Sequence, residues 1–357
     1  MIKIGVIGYG YWGPNVVRNL NAQEGFRVTA VCDQNPEALR RAKQAYPAIE
    51  VTCDPATITR SPRIDAVAIV TPVWTHYELA KAALQNGKDV FVEKPFTSST
   101  AQAEELIALA DRNQQLIMVD HTFLFTGAVR KIRELVVARE LGDLYYYDSL
   151  RVNLGLFQHD VNVVWDLAPH DLSIMEYLIN DEPEAIVAAG ETHINGHEDV
   201  AFITVFFPRH TIAHINVNWL SPVKVRTTLI GGEKKLLVWN DLEADEKIKV
   251  YDKGVKMDGA NGRHKLLVSY RSGDMWAPRV EQTEALKEEF LYFHNCIVNR
   301  NVPINDGVAG WRVVRMIEAA SRSMKLKGEA VLLTSTGTLA ERAGGVGRNH
   351  AEGSVAA

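Results

Sequence analysis

Cysteine is scarce in this chain. Cys32, Cys53 and Cys296 are scattered over 357 residues with no C-x-x-C pair, which excludes a disulfide framework and gives no structural zinc pattern. Long apolar runs are also missing: none reaches the roughly 18–20 residues that cross a bilayer. The formal net charge is only -5. Nucleic acid or an acidic membrane would call for clustered Lys and Arg, and no such cluster is present. No internal repeat is visible. Met1-Ile2-Lys3-Ile4 runs straight into a strand pattern, so the expected location is the cytoplasm, without a signal peptide. What remains is an ordinary globular composition, 46% hydrophobic and 23% charged, on a chain too long for one core.

The first third alternates strand and helix. Apolar runs at 2–7, 27–33, 64–72, 89–95 and 116–120 read as buried strands. Helices are expected at 14–20, 36–46, 76–87 and 100–112, the last opened by a Ser99/Gln102 capping box. Near-continuous apolar strands between helices predict a doubly wound parallel α/β sheet over residues 1–121. The pattern then changes. A helix is expected at 127–139, a strand at 144–153 and a helix at about 166–179. Several successive strands follow from 184 to 251, with turns at Asn195-Gly196 and Gly231-Gly232, and helices return at 282–299 and 307–326. This predicts an α+β domain over 122–333 with an open, mostly antiparallel sheet. Ala213, Ile215, Val217 and Trp219 point to one face of that sheet; His214, Asn216 and Asn218 point to the other. The Gly- and Ala-rich residues 334–357 read as a flexible tail.

Gly8-Tyr9-Gly10-Tyr11-Trp12-Gly13 fits G-x-G-x-x-G between a strand and a helix. Its glycines serve the tight turn, the backbone approach to a pyrophosphate and close helix–strand packing. Asp33 stands 20 residues beyond Gly13 at the end of the next strand, where a carboxylate holds the adenosine ribose hydroxyls. It repels a 2′-phosphate, and Gln34 and Asn35 supply no cation, so NAD is expected in preference to NADP. Ligands of doubly wound sheets bind beyond the carboxyl ends of the strands. Two strand ends there carry Thr71-Pro72, with His76 close behind, and Glu93-Lys94-Pro95. Lys94 would sit beside the nicotinamide or be a surface lysine before a loop. Asp166 and His170 are spaced i, i+4 and share a helix face. They suit a carboxylate orienting an imidazole, or equally a helix cap with a surface histidine. A metal needs more ligands than this segment holds, so no metal site is expected.

These motifs together resemble the glucose–fructose oxidoreductase, inositol dehydrogenase and MocA (Gfo/Idh/MocA) family over about residues 2–330. The marks are residues 8–13, Cys32-Asp33, residues 71–76, Glu93-Lys94-Pro95 and Asp166-x-x-x-His170. The resemblance implies an NAD-dependent dehydrogenase acting on CH–OH groups. Lys94 would be the catalytic lysine, His170 the general acid/base and Asp166 its partner. Gly8, Gly10, Tyr11, Trp12, Gly13, Asp33, Thr71, Pro72, His76, Glu93 and Lys94 would line the cofactor, and a cis peptide often precedes the residue corresponding to Pro95. Many members carry Arg or Asn after the sixth strand, where this chain reads His121-Thr122-Phe123. Residues 152–171 look most like bacterial sugar-nucleotide 3-dehydrogenases acting on UDP-N-acetylhexosamines or their uronates. That gives Asn153, Trp165, Asp166, His170 and Lys94 as substrate contacts, and Lys224 with Arg226, on one side of a predicted strand, as a pyrophosphate contact or a solvated face. Free sugars or inositols are the alternative substrates. A non-catalytic NAD(H)-sensing regulator on the same fold is a further alternative, though a sensor would not need Lys94, Asp166 and His170 together. The family uses the open sheet for pairing, which implies a homodimer or homotetramer.

Overall fold

The structure, a computed structural model, describes residues 1–155, 157–158, 160–252, 254–258, 267–271 and 273–333. The chain opens with β1 (Ile2–Ile7), α1 (Gly13–Ala22), β2 (Phe26–Cys32), α2 (Pro36–Ala45), β3 (Glu50–Thr52) and α3 (Ala56–Thr59). It continues through β4 (Ala66–Ile69), α4 (Val73–Gln85), β5 (Asp89–Glu93), α5 (Thr100–Asn113) and β6 (Ile117–Asp120). The six strands form one parallel sheet in the order β3-β2-β1-β4-β5-β6. The order reverses between β1 and β4, the switch point where such sheets take ligands. Local chemistry sets the helix starts. Asn35 accepts the Glu37 N–H ahead of Pro36 at the first position of α2, and Ser99 accepts the Gln102 N–H at the start of α5. Gln102 reaches back to the N–H of Ser98, not Ser99. The short β3 and α3 escape the sequence reading because neither is long enough to show a period.

A 3-10 turn (Thr122–Phe125) leads to α6 (Gly127–Val137), β7 (Leu144–Leu154) and α7 (Val163–Leu178). Then come β8 (Ala185–Glu191), β9 (Val200–Phe206), β10 (Ile212–Asn218), β11 (Leu220–Gly232), β12 (Leu236–Asn240) and β13 (Ile248–Tyr251). The hairpin strands β14 (Gly254–Asp258) and β15 (Leu267–Arg271), β16 (Met275–Trp276), α8 (Ala285–Asn299), α9 (Gly307–Lys325) and β17 (Val331–Leu332) complete the described chain. The second sheet runs β16-β13-β12-β11-β7-β10-β9-β8-β17. It is mixed: β7 and β10 are parallel and its other pairings antiparallel. Ala213, Ile215, Val217 and Trp219 are buried on its helix side, as alternation requires, while His214, Asn216 and Asn218 keep partial exposure on the other. Phe202, Phe206 and Ile212 are exposed there as well. The tail expected over 334–357 lies outside the described residues.

Two compact units emerge, and they are not the contiguous halves expected from the sequence. Met1–Phe125 is joined by Thr283–Glu318; Thr126–Gln282 is joined by the segment from Ala319. The boundary expected at 121/122 falls near 125. The larger difference is that α8 returns to the first unit. Its Phe290 and Phe293 are fully buried against Phe26 and Phe91, with ring centroids 4.8–6.4 Å apart. An apolar stripe on a helix shows that it is covered, not what covers it, so order along the chain concealed this partner. Truncating Phe290 to Ala removes the centre of that cluster. The expected loss is about 3–5 kcal/mol of stability, read from chemical or thermal unfolding.

Candidate active site

In the first unit the chain turns immediately after β1. Gly8 has φ +103°, and a Cβ there would lie 2.1 Å from the Val70 carbonyl oxygen. A Cβ on Gly13 would lie 2.4 Å from the Gly8 carbonyl oxygen. The loop can therefore close on itself and on the end of β4 only with glycine at both places. Around Gly10 the space is open. The N-cap of α1 is Trp12, and no side chain caps the helix. Open space at Gly10, just ahead of a helix N-terminus that no side chain caps, fits a pyrophosphate. Asp33 follows β2 directly: its Oδ2 accepts the Tyr9 N–H at 2.6 Å and its Oδ1 the Asn35 N–H at 2.8 Å. It thus holds the glycine loop from the end of β2, the place where the spacing leads one to expect a ribose-binding carboxylate. Tyr11 projects from the loop, 86% exposed. Trp12 turns the other way, donating through Nε1 to Asp120 Oδ2 at 3.1 Å.

Thr71 and Pro72 follow β4, and Pro72 is the N-cap of α4. His76 on α4 is fully buried. One ring nitrogen lies 2.7 Å from the Thr71 carbonyl and the other 2.9 Å from the Pro95 carbonyl. Two carbonyl partners favour a charged ring, but burial outweighs them and, with Lys94 nearby, lowers its pKa. The structure places His76 beneath the cofactor end, tying residues 71–72 to residues 94–95. It presents no edge to a ligand, in contrast to the direct contact the resemblance implies. The Lys94–Pro95 peptide is cis. Lys94, partly exposed, follows β5 at its carboxyl end. Next to β6, His121 is buried with neither ring nitrogen hydrogen-bonded, and burial lowers its pKa to about 4. At neutral pH this ring is uncharged, so it does not supply the cation of the Arg alternative expected at this place.

In the second unit, α7 begins three residues before the expected start. Asn162 is its N-cap, taking the N–H groups of Val164 and Trp165 at 3.1 Å each. Asp166 is therefore not the cap. It lies in the first turn, and its Oδ2 accepts the Trp219 indole N–H at 3.1 Å. His170 is one turn on, partly exposed. The next residue, Asp171, is buried in an ion pair: Arg151 Nε reaches its Oδ2 at 2.5 Å and the Ser149 hydroxyl its Oδ1 at 2.7 Å. This pair fastens the turn that carries His170 to β7. Trp165 Nε1 donates to Ser321 Oγ at 3.1 Å. Asn153, near the end of β7, lies against Gly155 together with the Trp219 ring. Lys224 and Arg226 differ in their surroundings. The ladder between β11 and β7 shifts register between Leu220 and Val225. Arg226 enters opposite Arg151 and is 3.4 Å from Asp241, leaving Lys224 exposed in the irregular stretch. Asp120 was discoverable by the strand-end rule that found Glu93. Trp219, Arg151 and Asp171 had no such signal, because alternation shows burial and not hydrogen-bond partners.

Residues 2–121 match the oxidoreductase family with the NAD-binding Rossmann fold, and residues 129–238 match the GFO/IDH/MocA C-terminal domain. The chain belongs to the GFO/IDH/MocA family. It is thus an NAD-binding oxidoreductase of the dehydrogenase kind. It is similar to UDP-N-acetylglucosamine 3-dehydrogenase of Acidithiobacillus ferrooxidans, at 25% identity covering 93% of this chain and 98% of that protein. The scyllo-inositol 2-dehydrogenase (NAD(+)) of Bacillus subtilis is 25% identical over 66% of this chain and 73% of its own length. The crystallised Acidithiobacillus enzyme shares the fold with a TM-score of 0.78, at 23% identity, covering 91% of this chain and 98% of that one.

The position of Asp33 yields a direct expectation. Wild-type protein should bind NADH more tightly than NADPH, and Asp33→Ala should narrow that gap by removing repulsion of the 2′-phosphate. Because Asp33 also holds Tyr9, the variant should weaken NADH as well. Fluorescence titration with both nucleotides checks both effects; a wild-type preference for NADPH would contradict the assignment.

Proposed function

We propose that this protein oxidises a hydroxyl-bearing sugar carbon, most fittingly on a sugar nucleotide of the UDP-N-acetylhexosamine or uronate type. The observation that carries the reading is that each unit holds reactive side chains a nucleotide fold alone does not need: Lys94 at the carboxyl end of β5 in the first, and Asp166 with His170 one turn apart on α7 in the second. A protein that only sensed NAD(H) would need neither. NAD held by the glycine loop, α1 and Asp33 supplies the hydride acceptor. Lys94 stabilises negative charge developing on the substrate oxygen. His170 accepts the hydroxyl proton, and its i, i+4 relation to Asp166 gives the imidazole a carboxylate neighbour. Trp219 donates its indole N–H to Asp166 and so helps to orient that carboxylate on α7. The segment 152–171, with Asn153 and Trp165, supports a sugar-nucleotide substrate, as does the similarity to the Acidithiobacillus enzyme along nearly the whole chain. Free sugars or inositols are the second reading, favoured by the inositol dehydrogenase relative.

The open sheet face completes the proposal. Phe202, Phe206 and Ile212 are exposed beside His214, Asn216 and Asn218, a surface suited to a second copy. A cytoplasmic homodimer or homotetramer burying at least about 1,200 Å² per contact is expected. Light scattering at micromolar concentration tests it, a monomer refuting it.

Two further measurements test the chemistry. UDP-hexoses should raise the melting temperature in the presence of NAD, by about 2.7 kcal/mol of linkage at 100 times Kd. A shift with inositol and none with UDP-sugars would favour the second reading. Lys94→Ala should lose on the order of 3–4 kcal/mol of transition-state stabilisation, and His170→Asn roughly 10²–10⁴-fold in turnover. Residues acting as a unit are strongly non-additive, so the double variant should be little worse than the poorer single one. NADH affinity of His170→Asn should stay near wild type. Near-normal turnover in either single variant would remove that residue from the mechanism.

A further inference from the structure

Three carboxyl groups meet at the carboxyl ends of β5 and β6 within the first unit. Glu93 and Asp120 are register partners on the adjacent strands. Glu289 arrives from α8 and is fully buried. Each glutamate lies within hydrogen-bond reach of Asp120. Asp120 already accepts two other bonds, from Trp12 Nε1 on Oδ2 and from the Thr122 hydroxyl on Oδ1. An indole N–H can only donate, so Asp120 faces Trp12 as an acceptor.

The far side of Glu289 is specified as well. Its Oε1 accepts the Asn305 amide at 2.9 Å, and the same amide donates to the Val119 carbonyl at 2.7 Å. Its Oε2 is buried without a hydrogen-bond partner; the nearby Thr122 hydroxyl, which works against the rise in its pKa, has its proton on Asp120. As a carboxylate, that oxygen would be an uncompensated acceptor directed at another acceptor, an expensive arrangement out of water. As an O–H it loses the charge and finds Asp120. Burial and the Asp120 charge push both Glu93 and Glu289 well above the usual carboxyl range. The other charged or titratable neighbours are Lys94, beside Glu93, and His121, which burial keeps neutral. Among the described residues no group of three metal-ligating side chains is arranged to hold a metal ion. A proton is what this geometry accommodates.

We propose that Glu93 and Glu289 are kept as neutral acids that both donate to one Asp120 carboxylate, and that this cluster fixes the glycine loop through Trp12 and thereby sets NAD affinity. Trp12 is the N-cap of α1, so its orientation governs the helix end expected to face the pyrophosphate. Glu289 acts through Asp120 and Trp12 and is a positioning residue. The inference concerns the cofactor end alone and stands apart from the identity of the sugar.

Isotope-edited infrared spectroscopy with ¹³C-labelled glutamate, paired with NADH fluorescence titration, tests it without any sugar substrate. At pH 7 the wild type should show a protonated-carboxyl band, reduced by about half in Glu289→Gln and again by about half in Glu93→Gln. Glu289→Gln replaces the O–H by an amide N–H and should keep NADH affinity within about threefold. Glu289→Leu removes the donor and should weaken NADH by about tenfold, the scale of one hydrogen bond to a charged group. Absence of the band in wild-type protein, or equal NADH affinities for the Gln and Leu variants, would overturn the proposal. If Glu289→Leu fails to fold, the wild-type, Glu93→Gln and Glu289→Gln spectra still decide it.

Discussion

The cofactor end is governed by one steric fact, the approach of the Gly8 backbone to the Val70 carbonyl. A Cβ at Gly8 would stand 2.1 Å from that oxygen, well inside any tolerable contact. With the side chain absent, the loop drops onto the end of β4, Gly13 closes over Gly8, and the space beside Gly10, just ahead of α1, stays open. Asp33 then fastens the loop from β2 through Tyr9, and Asp120 fastens it from β6 through Trp12. The loop is thus held from opposite sides of the sheet, at strands separated by β1, β4 and β5. Pre-ordering of this kind lowers the entropy cost of taking up a nucleotide.

The two units handle buried charge differently. In the second, Asp171 is neutralised by the Arg151 guanidinium and a serine hydroxyl, and the ion pair anchors the turn bearing His170. Such a pair contributes little net stability against a well-packed apolar substitute, but losing one partner is costly because the other remains buried. It therefore specifies geometry more than it stabilises. In the first unit the two glutamates around Asp120 are instead pushed toward their neutral forms by burial and by the Asp120 charge.

Much of this was legible in the residues. Period and punctuation marked the strands of the first sheet, because buried parallel strands are apolar runs that end at Gly or Pro. Asp33 and the glycine loop were readable because nucleotide binding needs fixed residue types at fixed spacing. Strand alternation placed Ala213, Ile215, Val217 and Trp219 correctly on one face. Features set by distant partners were not readable. The start of α7 moved because Asn162, not Asp166, captures the first N–H groups. Lys224 and Arg226 read alike because i, i+2 alternation treats them as equivalent, yet only Arg226 lies in the regular ladder, opposite Arg151. His76 has the position of a ligand contact, yet its two carbonyl partners come from loops that only the folded sheet brings together. Glu289 had no signal at all: a glutamate on an amphipathic helix ordinarily faces water.

The return of α8 to the first unit also bears on how the protein is made. Phe26 and Phe91 leave the ribosome early, yet the rings that cover them belong to Phe290 and Phe293. At about 5–20 residues per second, roughly ten to forty seconds of synthesis separate Phe91 from its cover. Throughout that interval Phe26 and Phe91 lack these two rings while Thr126–Gln282, the larger part of the second unit, is being translated. The order of assembly is therefore inverted relative to the order of the chain. The inserted unit can form β7 to β16 first, the first unit closes when α8 arrives, and β17 joins the edge of the second sheet after that.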